Sequence, residues 1–428
     1  MTLTRTAGLL LVLSATALGF AVGACGSDGE DGAPGATGSP GAPGAPGVPG
    51  PAGNGAAGDA SVPALTGACT QPCHTFNGVV DQWRFSNHSH PQKTDVGGGS
   101  CGNCHALDGI QQRLANKAVV TADSGAPTGV AQGHINYKTA AGTVAEIGYA
   151  GAAVIGRIHC STCHDFNATN DPHVTGKYVA GQAPLRVPGG SAVSILEASP
   201  DAAAPTGTPL SYGPANTCVF CHKSRKDVSA YVAATNNKLT SVNWGPHAGP
   251  QADIYSAQGG YEFAGKTYGT SQHTTIANKC VTCHMAPVAA NGNVPDHTMK
   301  PVVATCTTGA GCHSTYTGTT FDVNAGQSTV KKALFELQRV LNEGGYITRS
   351  ETAPYTGLNE DELADGQFHL DHVLPGKTVD GPLAGAVYDY LLVARGKDLG
   401  VHNPVYTKQL LVDSIEALGG NKNVISRP

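Results

Sequence analysis

The chain has 428 residues and a formal net charge of -5, from 26 basic and 31 acidic side chains, which argues against nucleic acid as a partner. Aromatic residues make up 6% and charged residues 13%, while Gly numbers 57 and Pro 27. Such a chain builds few long helices or strands, and its apolar core is poor unless a large apolar group fills it.

Met1 to Arg5 is a short segment with one positive charge, followed by an uncharged apolar run from Ala7 to Val22. That run is too short for a confident membrane span and fits the apolar region of a signal peptide. It ends in Val22-Gly23-Ala24-Cys25, which resembles a bacterial lipobox. The expectation is a signal peptide over 1–24, cleaved before Cys25, whose thiol is then lipidated; an ordinary signal peptide with an incidental Cys is the alternative. Two or more acyl chains give stable anchoring where one does not. Gly26, in place of the Asp that retains many such proteins on the inner membrane, favours the outer membrane or cell surface over the periplasmic face of the inner membrane.

Residues 25–60 hold a triplet repeat with Gly at 26, 29, 32, 35, 38, 41, 44, 47, 50 and 53. Period and composition are collagen-like. The segment cannot form a core, and as one extended chain it spans roughly 80 Å at about 3.1 Å per residue. It is a stalk, either a single extended chain or a trimeric collagen helix.

Four pentapeptides share one pattern: Cys101-Gly102-Asn103-Cys104-His105, Cys160-Ser161-Thr162-Cys163-His164, Cys218-Val219-Phe220-Cys221-His222 and Cys280-Val281-Thr282-Cys283-His284. Cys-X-X-Cys-His is the attachment signature of c-type haem. Two thiols close thioether bonds on one edge of the porphyrin, and the next residue sets an imidazole nitrogen under the iron. Zinc also uses Cys-X-X-Cys pairs, but does not require a His directly after the second Cys in every copy. Two expanded versions flank the set. Cys69 and Cys73 are separated by three residues and followed by His74; Cys306 and Cys312 are separated by five and followed by His313. A small-loop disulfide is the alternative for each. The six motifs use twelve of the thirteen Cys, leaving Cys25 for the lipid. The expected cofactor is haem c, about six copies and at least four.

The expected fold is mostly irregular with short α-helices: a multihaem cytochrome c architecture over 61–320, with a packed haem array and a helical C-terminal cap over 321–428. In that cap Val330, Leu334, Leu337 and Leu341 form an apolar stripe at helical spacing, closed by Gly344 and Gly345. Leu383 to Arg395 predicts a second helix. Asn403-Pro404 starts a third, with Asn as cap and Pro in the first turn, stopping at Gly419.

Of 17 His, six follow the second Cys of a motif and eleven remain, enough for every iron to take two imidazoles. An iron so ligated is closed to substrate and suits electron transfer. No Cys-X-X-Cys-Lys variant occurs, and only Met285 and Met299 remain after signal cleavage. His88, soon after the first motif, is favoured over His90 as a distal ligand, and His134 is a candidate between the second and third motifs. His173, His369 and His372 read as surface residues or as supports for a ligand.

The motifs, and the stretch from Gly245-Pro246-His247 through His273-Thr274-Thr275 to Asp296-His297-Thr298, resemble the multihaem c-type cytochromes of the bacterial cell surface, including outer-membrane lipoproteins of metal-reducing bacteria. The resemblance implies His247, His273 and His297 as distal ligands, and His159, directly before Cys160, as ligand to a neighbouring haem. His402 in Gly400-Val401-His402-Asn403-Pro404 resembles the C-terminal helix start of pentahaem nitrite reductases, as a ligand or a helix-entry hydrogen bond. The function implied is electron transfer and not catalysis. The partners are other cytochromes or redox proteins and an extracellular metal oxide acceptor, with the membrane reached through the lipid. The alternative is a reductase of a nitrogen or sulfur oxyanion with one open haem.

Overall fold

The computed structural model describes residues 74, 78–89, 118–119, 136–138, 144–146, 158–167, 169–175, 183–195, 210–224, 228–232, 238–242, 244–287, 294–309, 313–348 and 373–428. The leader, Cys25 and the stalk lie outside them. So do Cys69, Cys73, the motif from Cys101 and Cys104 to His105, His134 and Cys312.

Up to residue 320 the elements are short. They are helices α1 (Val79–Arg84), α2 (Cys160–Cys163), α3 (Pro172–Thr175), α4 (Asn216–Val219), α5 (Val228–Val232), α6 (Gln251–Tyr255) and α7 (Cys280–His284). Strands β1 (Ala118–Val119), β2 (Asn136–Lys138) and β3 (Val144–Glu146) form one antiparallel sheet in that order, with Ala118 opposite Lys138 and Tyr137 opposite Ala145. Two of the short helices, α2 and α7, are Cys-X-X-Cys turns themselves, and α4 carries the first Cys of a third, Cys218. A helical turn puts residues three apart on one face, so both sulfurs of a motif face the same way.

The long helices come last: α8 (Gly326–Glu343), α9 (Gly381–Gly396) and α10 (Pro404–Ala417). They match the predicted stripe, the segment from Leu383 and the Asn403-Pro404 start. Asn403 accepts from the Tyr406 amide at 3.2 Å, and Asp380, which the sequence reading did not use, caps α9 by accepting from the Leu383 amide at 2.8 Å. Helix α8 buries Val330, Ala333, Leu334, Leu337 and Leu341 on one face. Helix α9 is buried on every side from Ala384 to Gly396, as expected of a helix apolar all round. The main core joins these helices to Leu239, Trp244, Ile254, Tyr406, Leu410, Leu411 and Ile415. A smaller cluster of Val187, Val193, Ile195, Tyr212, Ala215, Val219 and Ala252 surrounds the turn that carries Cys218. Leu337 is fully buried, and truncating a buried Leu to Ala costs about 2–5 kcal/mol. Leu337→Ala should therefore lower the denaturant midpoint of the helical segment clearly.

The segment from 245 to 273 is stitched onto α9 and α10. Arg395 Nη1 donates to Pro246 O at 2.5 Å, and the Tyr261 amide donates to Asp389 Oδ1 at 2.7 Å. The Gly269 amide donates to Gln409 Oε1 at 2.8 Å, and the Ser271 amide to Asn403 Oδ1 at 3.1 Å. Tyr406 Oη accepts from the Gly260 amide at 3.1 Å. Burial pushes the Asp389 carboxyl well above its usual range. The helical segment is thus more than a lid: its loops reach the motif histidines.

Candidate haem-iron sites

Among the described motifs, the Cys-X-X-Cys turns at Cys160 and Cys218 close on their own His. The His164 amide donates to Cys160 O at 2.9 Å, and the His222 amide to Cys218 O at 2.9 Å. The expanded motif does the same: a π-helical turn over Thr305–Gly309 lets the His313 amide reach Cys306 O at 3.2 Å. Three more residues separate its two Cys than in the short motifs, and the relation of His to first Cys is kept. A hollow of about 630 Å³ lies beside this motif, lined by Val302, Val303, Ala304, Thr307, Tyr316 and Phe321 among others.

Cys160, Cys163, Cys218, Cys221, Cys280, Cys283 and Cys306 are all free thiols. Burial pushes Cys163 up to about 12, with the neighbouring Cys218 thiol adding to it. It also pushes Cys280 up to about 12, again with Cys218 adding. Cys283 is raised by burial and then by Cys306. Cys218 and Cys280 pack against the same small apolar cluster, and the turn Cys280–His284 contacts the turn Thr305–Gly309 that holds Cys306. Among the described residues no group of three or more His, Cys, Asp or Glu converges as a zinc site requires.

The histidines come together in pairs. His164 faces His297 with ring centres 6.3 Å apart, and His284 faces His402 at 6.2 Å. His222 faces His88 at 6.0 Å, His313 faces His273 at 6.1 Å, and His74 faces His173 at 6.3 Å. Every pair joins one motif His to one non-motif His. A metal bonded to two imidazole nitrogens at about 2.0–2.1 Å each holds the ring centres roughly 6.3 Å apart. Aromatic pairs pack anywhere between about 4.5 and 7 Å, so one such distance means little. Five within so narrow a band, all of mixed type, fit a group held between two axial imidazoles.

Hydrogen bonds at Nδ1 point the same way. His164 donates from Nδ1 to Ala183 O at 2.8 Å, and His297 to Pro295 O at 2.7 Å. His284 donates to Met299 O at 3.0 Å, and His273 to Val401 O at 2.6 Å. His222 donates to Gln251 Oε1 at 3.1 Å, and that amide is itself oriented by donating to Gly396 O at 2.9 Å. His173 Nδ1 bonds Asp171 Oδ1 at 3.0 Å; His402 Nδ1 lies 3.0 Å from Asp398 Oδ2, at ion-pair distance but without hydrogen-bond alignment. His88 Nδ1 meets Met299 Sδ at 2.7 Å. A proton fixed on Nδ1 leaves the Nε2 lone pair for a metal and sets the ring's direction. Burial lowers the pKa of His88 to about 4, with His222 and His284 adding. Burial also lowers His284 and His297. Each is then the neutral imidazole that can ligate.

Apolar surface is left uncovered beside these rings. Val174, next to His173, is 64% exposed, and Phe85, three residues before His88, is 67% exposed. No described residue between 294 and 321 is buried. A porphyrin edge would cover such surface, so the residues present fit the group.

The distal candidates divide as follows. His88, His273, His297 and His402 each face a motif His. His159 instead caps α2: its Nδ1 accepts from the Ser161 amide at 3.3 Å, and its own amide donates to Thr162 Oγ1 at 3.0 Å. His247 donates from Nδ1 to Ala248 O at 2.7 Å, the same engagement seen in the paired rings. His173, read from sequence as a surface or supporting residue, faces His74. The available signal was Asp171-Pro172-His173, where Asp171 accepts from both the amide and Nδ1 of His173. No family model, curated protein or solved structure gives a significant match to this chain.

Proposed function

We propose that the protein is an electron carrier holding about six covalently bound c-type haems, each closed by two histidines. The observation that carries this is the pairing of five motif histidines with five non-motif histidines at 6.0–6.3 Å. Haem supplies a reversible one-electron iron couple when bound. The cysteines fix the group's edge. The paired histidines would hold the group from two sides and leave no room for substrate, and their Nδ1 partners would hold the rings still. The motif at Cys218 shares an apolar cluster with Cys280, and the turn Cys280–His284 contacts the turn holding Cys306, so these neighbouring sites adjoin one another and electrons can hop between them. An oxyanion reductase needs an iron with one protein ligand, and each of the five described motif histidines faces a second imidazole.

The lipobox-like Val22-Gly23-Ala24-Cys25 and the Gly-rich triplet repeat support a location of this array at the outer membrane or cell surface, held by a lipid at Cys25. There it exchanges electrons with other redox proteins and with an extracellular metal oxide. Among the described residues no helix is long and apolar enough to cross a membrane.

Intact mass of the mature protein, purified from a host that attaches haem c, tests the reading. Six haem masses plus acyl chains are expected. Four haems would withdraw the sites ending at His74 and His313, and none would overturn the reading.

A further inference from the structure

We infer that Asp398 is a positioning residue that makes the site between His284 and His402 the lowest-potential step among the five described sites. This rests on the electron-carrier reading.

The acceptors at Nδ1 differ in charge. Ala183, Pro295, Met299 and Val401 offer backbone carbonyls, and Gln251 a neutral amide. Only two rings face a carboxylate. One is His173, whose side chain is 82% exposed, against Asp171 at 29%. Water and salt screen that pair. The other is His402, whose partner Asp398 has a side chain only 4% exposed. Asp398 Oδ2 lies 3.0 Å from His402 Nδ1 and also accepts from the His402 amide at 3.0 Å. A tight turn holds the pair together, with Gly400 at φ +81, where an added Cβ would meet Val330 Cγ2 at 2.9 Å. Leu399 precedes it at φ 47. The carboxylate therefore cannot swing away to solvent.

Asp398 Oδ2 sits at ion-pair distance from Nδ1 without hydrogen-bond alignment to it, so what it brings to the ring is a fixed, buried negative charge. A fixed negative charge in a low-dielectric site favours ferric over ferrous iron. The electron balance is simple: one electron enters from a neighbouring haem and one leaves to the next, with no bond broken. Cys280 packs with Cys218 against one apolar cluster, and the turn Cys280–His284 contacts the turn Thr305–Gly309, so this step lies between two other motifs. It divides the array into two segments with an uphill hop between them.

The test is spectroelectrochemical titration of the full haem-loaded protein against Asp398→Asn. Asn keeps the shape and an acceptor oxygen but removes the charge. The most negative potential should rise, by about 59 mV if the ferric preference falls tenfold for this one-electron couple. The other potentials should hold, Asp398→Glu should restore the parent value, and Asp171→Asn should leave the most negative potential in place. A most negative potential unchanged in Asp398→Asn, with parent haem content by mass, would overturn the inference. Should Asp398→Asn fail to load haem, the His402→Ala variant supplies a second readout. The low-spin signal that it loses should be the one reduced last in the parent, and a signal reduced early would overturn the assignment. A parent protein without its haems by mass would fail the underlying reading instead, and the two failures are distinguishable.

Discussion

The His297→Ala variant should show one high-spin ferric haem where the parent shows none, with its other irons unchanged. His297 is held from two sides: its Nδ1 donates to Pro295 O at 2.7 Å, and its amide donates to Gln82 Oε1 at 2.9 Å. Its ring lies 29° from parallel with that of His164, at 6.3 Å. Alanine removes the sixth ligand and leaves room for water. His164 stays in place through Ala183 O, and the haem stays attached through Cys160 and Cys163. Mass should therefore be unchanged while one iron changes spin state, and that haem alone should bind cyanide or carbon monoxide rapidly. A fully low-spin variant would assign His297 a structural role and place another ligand opposite His164.

Chain produced without haem attachment should lose the ordered structure of its body while retaining helical structure near its C-terminus. Buried apolar residues gather in α8, α9, α10 and the segment from Leu239 to Tyr268, with a second small cluster around Val219. From 158 to 175 Thr162 is the only described residue that is buried. Stability scales with the apolar area removed from water, about 25 cal/mol per Å², and these segments remove little without a porphyrin against them. Binding free energy then serves as folding free energy, as in small metal-dependent domains. Limited proteolysis of the haem-free chain should destroy the segments around His164 and His297 within the time that leaves the haem-loaded protein intact, and should leave fragments containing residues 326–428. Equal resistance of the two forms would show that the polypeptide carries its own core.

Local features were legible in the sequence and long-range ones were not. Helices α8 and α10 follow from an apolar stripe, an Asn-Pro start and Gly stops, all within a turn or two of the residues they control. The motif histidines follow because each stands directly after the second Cys of a fixed Cys-X-X-Cys spacing. Partner choice obeys no such rule. His402 reaches His284 because α9 and α10 pack together and the turn at Gly400 projects inward; nothing near His402 in the sequence names His284. His173 faces His74 although its neighbours mark only an Asp-Pro turn. His159 shows the converse: its position before Cys160 implies a ligand by resemblance, while Ser161 and Thr162 supply the local partners that make it a helix cap.

Ferric-state EPR of the purified protein with spin quantitation, set against haem content, addresses the bis-histidine array most directly. All iron should appear as low-spin haem, with no high-spin signal approaching one haem per chain. A high-spin signal worth a full haem would contradict the closed array and move the protein toward the oxyanion reductases.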